Sequence, residues 1–117
     1  MKYVIDFDIM PRPELQKGKY GNMYYDPKYV ANHRELQLIL KSLCNKKNIK
    51  MTSEPVEITY AYFISRRDGD IDNCDKNFYD CLQGSFLKND RQIVQRGKTS
   101  VHRKQEKPRI EFEIRVL

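Results

Sequence analysis

Segment 56–65 carries the strongest constraint on the fold, because large apolar side chains recur in it at every second position. These side chains are Val56, Ile58, Tyr60, Tyr62 and Ile64. Successive side chains of a strand point to opposite faces, so a period of two predicts a strand with one buried face. The intervening residues, from Glu57 to Ser65, are partly polar and predict a second face that is half covered. The chain therefore has to form a sheet.

The other regular segments follow from the same kind of pattern. Further strands are predicted over residues 2–9, 92–103 and 108–117, and helices over 27–46 and 72–87. Asp26 and Pro27 supply a capping residue and a first helical position for the first helix. Residues 10–26 contain too many breakers for a regular element, and residues 104–107 are expected to make a hairpin turn between the last two strands. The order β-α-β-α-β-β predicts an α+β fold, with two helices on one face of a four-stranded mixed sheet.

Size and charge narrow the class of protein. The 117 residues make one domain, and 22 Lys and Arg against 16 Asp and Glu give a net charge of +6, which attracts polyanions. No apolar run is long enough to span a bilayer, and the strand-like start predicts no secretory signal. Cys44, Cys74 and Cys81 are odd in number and lack C-x-x-C spacing, which favours reduced, buried thiols. We expect a cytoplasmic protein with neither membrane association nor a nucleotide cofactor.

An acidic cluster is unexpected in so basic a chain. Asp70 precedes the predicted second helix, Asp72 begins it, and Asp90 lies in the loop that leaves it. Such a cluster repels a polyanion unless divalent cations lie between carboxylate and phosphate, so it predicts a metal site. Asp90 would join this site if the strand that follows it returns beside the second predicted strand. Mg²⁺ prefers such hard oxygen ligands, and Lys76, one turn beyond Asp72, would add positive charge at a developing oxyanion.

The same residues also have a purely structural interpretation. Asp72 followed by Asp75 resembles a capping box, and Asp70 after Gly69 is ordinary turn chemistry. An ion pair between Asp72 and Lys76, four residues apart, is worth only a few tenths of a kcal/mol. Spacing and composition alone leave both interpretations open.

The wider motif resembles one known family. Asp70-x-Asp72-Asn73-x-x-Lys76-x-x-x-Asp80-x-Leu82, followed by Asn89-Asp90-x-Gln92-Ile93, is similar to the RusA family of Holliday-junction resolvases of bacteria and their phages. The resemblance extends to an N-terminal strand, a Pro-Arg-Pro loop, the step Tyr25-Asp26-Pro27-Lys28 and a terminal hairpin. It covers nearly all of the chain and makes residues 1–117 a single RusA-like endonuclease domain.

The resemblance implies particular roles for the motif residues. It implies that Asp70, Asp72 and Asp90 are catalytic and bind Mg²⁺, or Mn²⁺ in its place, and that Lys76 is the catalytic lysine. Asn73 also belongs to the pattern and is expected to orient a neighbouring carboxylate, while Asp80 is expected to hold Lys76 in place. The chain departs from the family at two positions, Gly69 in place of proline and Asn89 in place of an acidic residue. Gly69 is expected to make the approach to Asp70 more flexible.

Basic and aromatic residues predict a surface for DNA. Cations supply salt-dependent affinity for phosphates, and tyrosines beside them are able to stack on unpaired bases at a branch point. The residues expected to bind DNA are Arg12, Lys17, Lys19, Tyr24, Tyr25, Lys28, Arg67 and Arg91.

Together these features predict a metal-dependent endodeoxyribonuclease that cuts four-way DNA junctions. The resemblance implies a homodimer, since two symmetric nicks require two sites related by a twofold axis. Two alternatives remain: a nuclease that prefers other branched or single-stranded DNA, and a noncatalytic DNA-binding module whose aspartates only cap and turn.

Overall fold

A four-stranded mixed sheet covered on one face by two helices forms the domain, as the alternating segments predict. The computed structural model describes residues 2–117. The elements are β1 (Lys2–Ile5), β2 (Gln16–Lys17), β3 (Met23–Tyr24), α1 (Pro27–Lys46), β4 (Val56–Phe63), α2 (Ile71–Leu82), β5 (Ile93–His102) and β6 (Arg109–Val116). None of the helices in this part of the chain is both long and apolar enough to cross a membrane.

The sheet has the order β1-β6-β4-β5. Strand β6 runs antiparallel to both β1 and β4, whereas β4 and β5 are parallel. The chain leaves β4, passes through α2 and returns as β5, which is the crossover that two adjacent parallel strands require. The strand after the second helix thus returns beside β4, but because the two strands are parallel, Asp90 lies at the end opposite to the segment that carries Asp70.

The core lies between the sheet and the two helices. Apolar residues of β4 and β6 face the inner sides of α1 and α2, and the three cysteines are buried among them without disulfides. Burial raises the pKa of the Cys74 and Cys81 thiols to about 12, so both remain protonated small hydrophobes. The predicted cap of α1 is also confirmed, because the Asp26 carboxylate accepts a hydrogen bond of 2.8 Å from the Lys28 amide.

The predicted terminal hairpin is wrong. Residues 104–107 do connect β5 to β6, but β4 lies between these two strands and they do not pair with each other. Sequence period alone does not report which strand a segment will pair with. Strand β6 instead fills the position between β1 and β4, where both of its edges form hydrogen bonds.

The ends of two elements and the structure of one loop also differ from the prediction. The ladder of β1 stops at Ile5 rather than at residue 9, because its partner β6 begins directly after Pro108, which has no amide hydrogen to donate. Helix α2 stops at Leu82 rather than at residue 87, because Gln83 takes an extended backbone conformation. Residues 10–26 are not wholly irregular, since β2 and β3 form a two-residue antiparallel ladder.

Asn77 fixes the segment after β1 to the helices. This buried α2 side chain donates to the Met10 carbonyl at 2.8 Å and to the Asn32 side chain at 3.2 Å, and its own oxygen lies 2.7 Å from Nδ1 of His33. Asn32 in turn bonds the Met10 amide and the Asp8 carbonyl. His33 thus belongs to a structural network.

Replacing Asn77 tests how much this network contributes. Asn77→Ala leaves the Met10 carbonyl and the His33 ring without their buried partner, so we expect the free energy of unfolding to fall by about 1–3 kcal/mol in urea denaturation. Asn45→Ala, at an exposed position of α1, is the matched control and should change stability by no more than about 0.5 kcal/mol. Equal stabilities of the two variants would show that the network contributes nothing.

Candidate active site

A cleft of about 490 Å³ runs along the outward face of α2. One wall is the charged stripe of the helix, and the others come from the loop after β1, from β5 and from the 3₁₀ turn Asp90–Gln92 before β5. The residues that line it are Arg12, Asp72, Asp75, Lys76, Tyr79, Asp80, Asp90 and Arg96. Helical spacing explains the stripe, because residues three and four apart lie on the same side of a helix.

Two of the three cleft cations are paired with helix carboxylates. Arg12 lies 3.7 Å from Asp80, and Arg96 lies 3.6 Å from Asp75. The loop that carries Arg12 is fixed in addition by a 3.0 Å hydrogen bond from its amide to the Asn73 carbonyl. Asp80 therefore holds Arg12, and within residues 2–117 it makes no ion pair with Lys76, contrary to the expectation from sequence.

The remaining three cleft charges are Asp72, Asp90 and Lys76. Within residues 2–117 none of them makes an ion pair, and neither carboxylate accepts a hydrogen bond. Asp72 and Lys76 do not form the i,i+4 pair that a structural role would predict. The cleft thus retains two free carboxylates and one free ammonium group, all three on the motif that the sequence indicates.

Asp70 has a different environment from Asp72 and Asp90. It is the N-cap of α2, its carboxylate accepts a 3.0 Å hydrogen bond from the Asp72 amide, and it is not among the residues that line the cleft. Asn73 contributes backbone groups, since its amide bonds the Asp70 carbonyl and its carbonyl accepts from Arg12.

The carboxylates are distributed along the cleft. Helix α2 has 12 residues and is therefore about 18 Å long. Since β4 and β5 are parallel, Asp70 follows one end of this strand pair and Asp90 precedes the other. In the described part of the chain, no three Asp, Glu, His or Cys side chains converge closely enough to hold a metal ion. The side chains that line the cleft and could bind a metal ion all do so through oxygen atoms. Oxygen ligands suit Mg²⁺ rather than Zn²⁺.

Arg103 holds the loop in front of Asp70. Its Nε and Nη2 both donate to the Gly69 carbonyl, at 3.0 and 2.6 Å. Gly69 has φ of 147°, and a Cβ there would lie 2.8 Å from Cδ1 of Ile64. Proline cannot adopt this φ, which accounts for the departure from the family pattern. The flexible approach expected from Gly69 is not what the structure shows, because its carbonyl is clamped by two donors.

Gln92 holds the turn that carries Asp90. Its side-chain oxygen accepts hydrogen bonds from the amides of Lys88 and Asn89, and its nitrogen donates to the carbonyls of Thr52 and Glu54, all at 2.8–2.9 Å. Asn89 is the N-cap of this turn: its side chain accepts from the Arg91 amide and forms a capping box with Gln92, a role that asparagine and aspartate share.

Asp75 is a cleft residue that the sequence reasoning assigned only to a cap. Its Oδ1 accepts a 2.8 Å hydrogen bond from the Tyr62 hydroxyl, whereas its buried Oδ2 has no hydrogen-bond partner in residues 2–117. Burial raises the pKa of this carboxyl above its usual range, while the hydroxyl groups of Tyr60 and Tyr62 and the charge of Arg96 act to lower it. A hydrophilic residue among the apolar positions of α2 is the signal that could have revealed it.

The residues expected to bind DNA occupy several places. Arg12 lines the cleft, and Arg91 is exposed on the adjacent turn. Lys17, Lys19 and Tyr24 belong to the exposed β2–β3 hairpin, where Lys19 lies 5.9 Å from the ring of Tyr20. Tyr25 packs edge-on against Tyr29, Lys28 is exposed at the start of α1, and Arg67 is exposed after β4.

The fold and the cleft define a small α+β protein with acidic and basic groups on one helix and a positively charged exterior. The chain belongs to the endodeoxyribonuclease RusA family, whose model matches residues 6–115. Membership implies Holliday-junction endonuclease activity, with branched DNA as the substrate. No curated protein matches the chain in a sequence search.

The contacts of Gln92 give a test of how the Asp90 turn is held. Gln92→Ala removes four hydrogen bonds, so we expect the amides of residues 88–92 to exchange with deuterium at least tenfold faster and stability to fall by about 1–3 kcal/mol. Gln95→Ala, three residues further on, loses a single bond to the Glu57 side chain and is the control. If both variants exchange like the parent protein, Gln92 does not order the turn.

Proposed function

We propose that the protein is a divalent-cation-dependent endodeoxyribonuclease that resolves four-way DNA junctions by paired, symmetric hydrolysis of phosphodiester bonds. The observation that carries this proposal is the charge pattern of the cleft. Arg12, Arg96, Asp75 and Asp80 lie in ion pairs, whereas Asp72, Asp90 and Lys76 have no ion-pair partner within residues 2–117. Charged groups without a protein partner that face one cleft are available to a substrate and a cofactor.

Asp72 and Asp90, the free carboxylates of the cleft, are the residues that would hold Mg²⁺, or Mn²⁺ in its place, whereas Asp70 caps α2 outside the cleft, at the end of the strand pair opposite to Asp90. When bound, a divalent cation supplies Lewis-acid stabilisation of the charge that develops on the phosphoryl oxygens. The carboxylates bring negative charge to a site that has to admit a polyanion, and this arrangement is favourable only with a cation between them. The oxygen donors of the cleft support this assignment.

Lys76 is the residue we assign to electrostatic stabilisation of the reacting phosphate. It lies on the same stripe as Asp72, is exposed, and is not neutralised by a carboxylate within residues 2–117. An ammonium group so placed contributes most when charge grows on the phosphate oxygens, because it favours the transition state over the ground state.

The basic exterior supplies the affinity for DNA. In the β2–β3 hairpin, Tyr20 is 89% exposed and Tyr24 is 40% exposed, next to Lys17 and Lys19. Exposed aromatic rings beside cations suit unpaired bases at a branch point. Two copies of the chain related by a twofold axis would present two clefts to one junction, so we propose a homodimer.

Asp72→Asn separates chemistry from binding. The substitution keeps the size of the side chain and removes one carboxylate, so we expect cleavage of a labelled four-way junction in Mg²⁺ to be lost while junction binding in a gel shift is retained. A second readout needs no cleavage: at ten times its Kd, Mg²⁺ should stabilise the parent protein by about 1.4 kcal/mol and raise its Tm by several degrees, and should do neither for the variant.

Cleavage of other DNA substrates distinguishes a junction-specific nuclease from one that prefers other branched DNA. A linear duplex and a forked duplex of the same sequence are cut in parallel, and EDTA replaces Mg²⁺ in one set. Asp68→Asn, an exposed aspartate outside the cleft, is the control variant and should cleave normally. Cleavage by Asp72→Asn would remove Asp72 from the cation site, and preference for the fork would overturn the junction assignment.

Lys76→Ala tests the role of the free ammonium group. We expect kcat for junction cleavage to fall by about 10²–10³ with little change in KM, because the charge acts on the transition state. Lys88→Ala, an exposed lysine just beyond the C-terminal end of α2, is the control. A rate within twofold of the parent protein would assign Lys76 to general surface charge.

A further inference from the structure

Strand β5 shifts its register against β4 twice, and the second shift lies where β5 passes the cleft. Ile58 of β4 pairs with Arg96, but Tyr60, two residues later, pairs with Thr99, three residues later. This β-bulge changes which side chains face the helices. Arg96 shares the helix-covered face with Ile58, and Lys98 lies on the opposite face beside Ser100 and His102.

Gly97 lies at the second register shift. A Cβ at this position would collide with the hydroxyl of Thr59 on the neighbouring strand. Ile93 pairs with Val56, so the shift between Ile93 and Gln95 brings Arg96 to the helix-covered face, and the extra residue at 97–98 then places Lys98 on the opposite face. Bulges often occur beside functional sites, and the side chain between these two shifts is a cation that faces the cleft.

Two contacts hold the Arg96 side chain over the cleft. Nη1 lies 3.6 Å from Oδ2 of Asp75, and the guanidinium carbon lies 5.9 Å from the ring centroid of Tyr79. Asp75 is itself fixed by Tyr62, and the hydroxyl of Tyr79 is hydrogen-bonded to that of Tyr60. A buried carboxylate and an aromatic ring within cation–π distance together position the guanidinium.

The guanidinium is held in place but keeps hydrogen-bond donors that are free to bind a ligand. Its side chain is 55% exposed, and none of its N–H groups donates a hydrogen bond to residues 2–117. Arginine has five donors in a planar fork that matches two phosphate oxygens. The contact with Asp75 engages Nη1 alone, which leaves the other N–H groups of the fork for a phosphate.

We propose that Arg96 binds a phosphate of the DNA backbone at the cleft, and that Asp75 and Tyr79 are the residues that position it. The proposal rests on the proposed function only in that it takes DNA to be the ligand of the cleft. The phosphate is recognised by charge and by its two unesterified oxygens, so this contact carries no base specificity.

Binding of a labelled four-way junction in EDTA tests the contact without cleavage. Each phosphate contact adds about one to the slope of log K against log salt concentration, so Arg96→Ala should lower this slope by about one and weaken binding about tenfold at low salt. Lys98→Ala removes the same charge from the same strand on the opposite face and is the matched control. Identical slopes for the two variants would overturn the proposal.

Junctions with single methylphosphonates locate the phosphate. At the contacted position, replacing a charged oxygen by a methyl group should weaken binding of the parent protein by about tenfold and should leave the affinity of Arg96→Ala unchanged. If no position distinguishes the two proteins, Arg96 contacts no phosphate. Because this readout needs no cutting, failure of Asp72→Asn to abolish cleavage would contradict the proposed chemistry alone.

Asp75→Asn tests the positioning role. The variant should lose most of the methylphosphonate effect at that position, and the double variant with Arg96→Ala should bind no worse than Arg96→Ala alone. Additive losses would overturn the role of Asp75. If thermal melting shows that Asp75→Asn does not fold, Tyr79→Leu removes the other support of the guanidinium and is assayed in the same way.

Discussion

The packing of α2 against β4 is the constraint on which the other features depend. Phe78 lies in the centre of this contact, with its ring centroid 5.3–6.0 Å from those of Tyr60, Tyr62 and Phe112. Once this face of the helix is buried, its helical period turns Asp72, Lys76 and Asp80 outward as a single stripe. The same packing brings Asp75 to the boundary, where its carboxylate reaches Tyr62 of the sheet. The cleft is therefore a consequence of how one helix lies on one strand.

Charge pairing then selects which groups of the stripe remain free. Burying a carboxylate without a partner is expensive, and Asp75 avoids the full cost through Tyr62 and through Arg96 on β5. Asp80 is more exposed, so its pair with Arg12 contributes little to stability, but it does fix the loop after β1 against α2. The elements packed around α2 thus neutralise some of its charges and leave others open to the cleft, and this distribution could not arise from the helix sequence alone.

The elements that follow from a local period were predictable, whereas those that depend on a partner were not. The strand period of β4 and the cap of α1 are encoded within a few residues, and both were predicted correctly. The place of β6 between β1 and β4 depends on which strand offers the better hydrogen-bonding edge, and nothing in segment 108–117 reports that choice. The bulge in β5 belongs to its pairing with β4, which lies far away in the chain. The sequence motif likewise indicated Asp72, Lys76 and Asp90, but it gave no sign that Arg12 and Arg96 are held by Asp80 and Asp75.

The segment before Asp70 shows how a departure from a family pattern is accommodated. A proline would restrict the backbone at position 69 through its ring, whereas glycine leaves the backbone free and raises the entropy cost of ordering it. In this chain Arg103 provides the restriction instead, since two of its donors hold the Gly69 carbonyl. Arg103 directly follows β5, which runs parallel to β4, so the C-terminal ends of the two strands lie together and bring Arg103 to the start of α2. A proline ring would restrict the backbone at position 69 from within the residue itself. In this chain the restriction comes from the Arg103 side chain, which lies close enough because β5 runs parallel to β4.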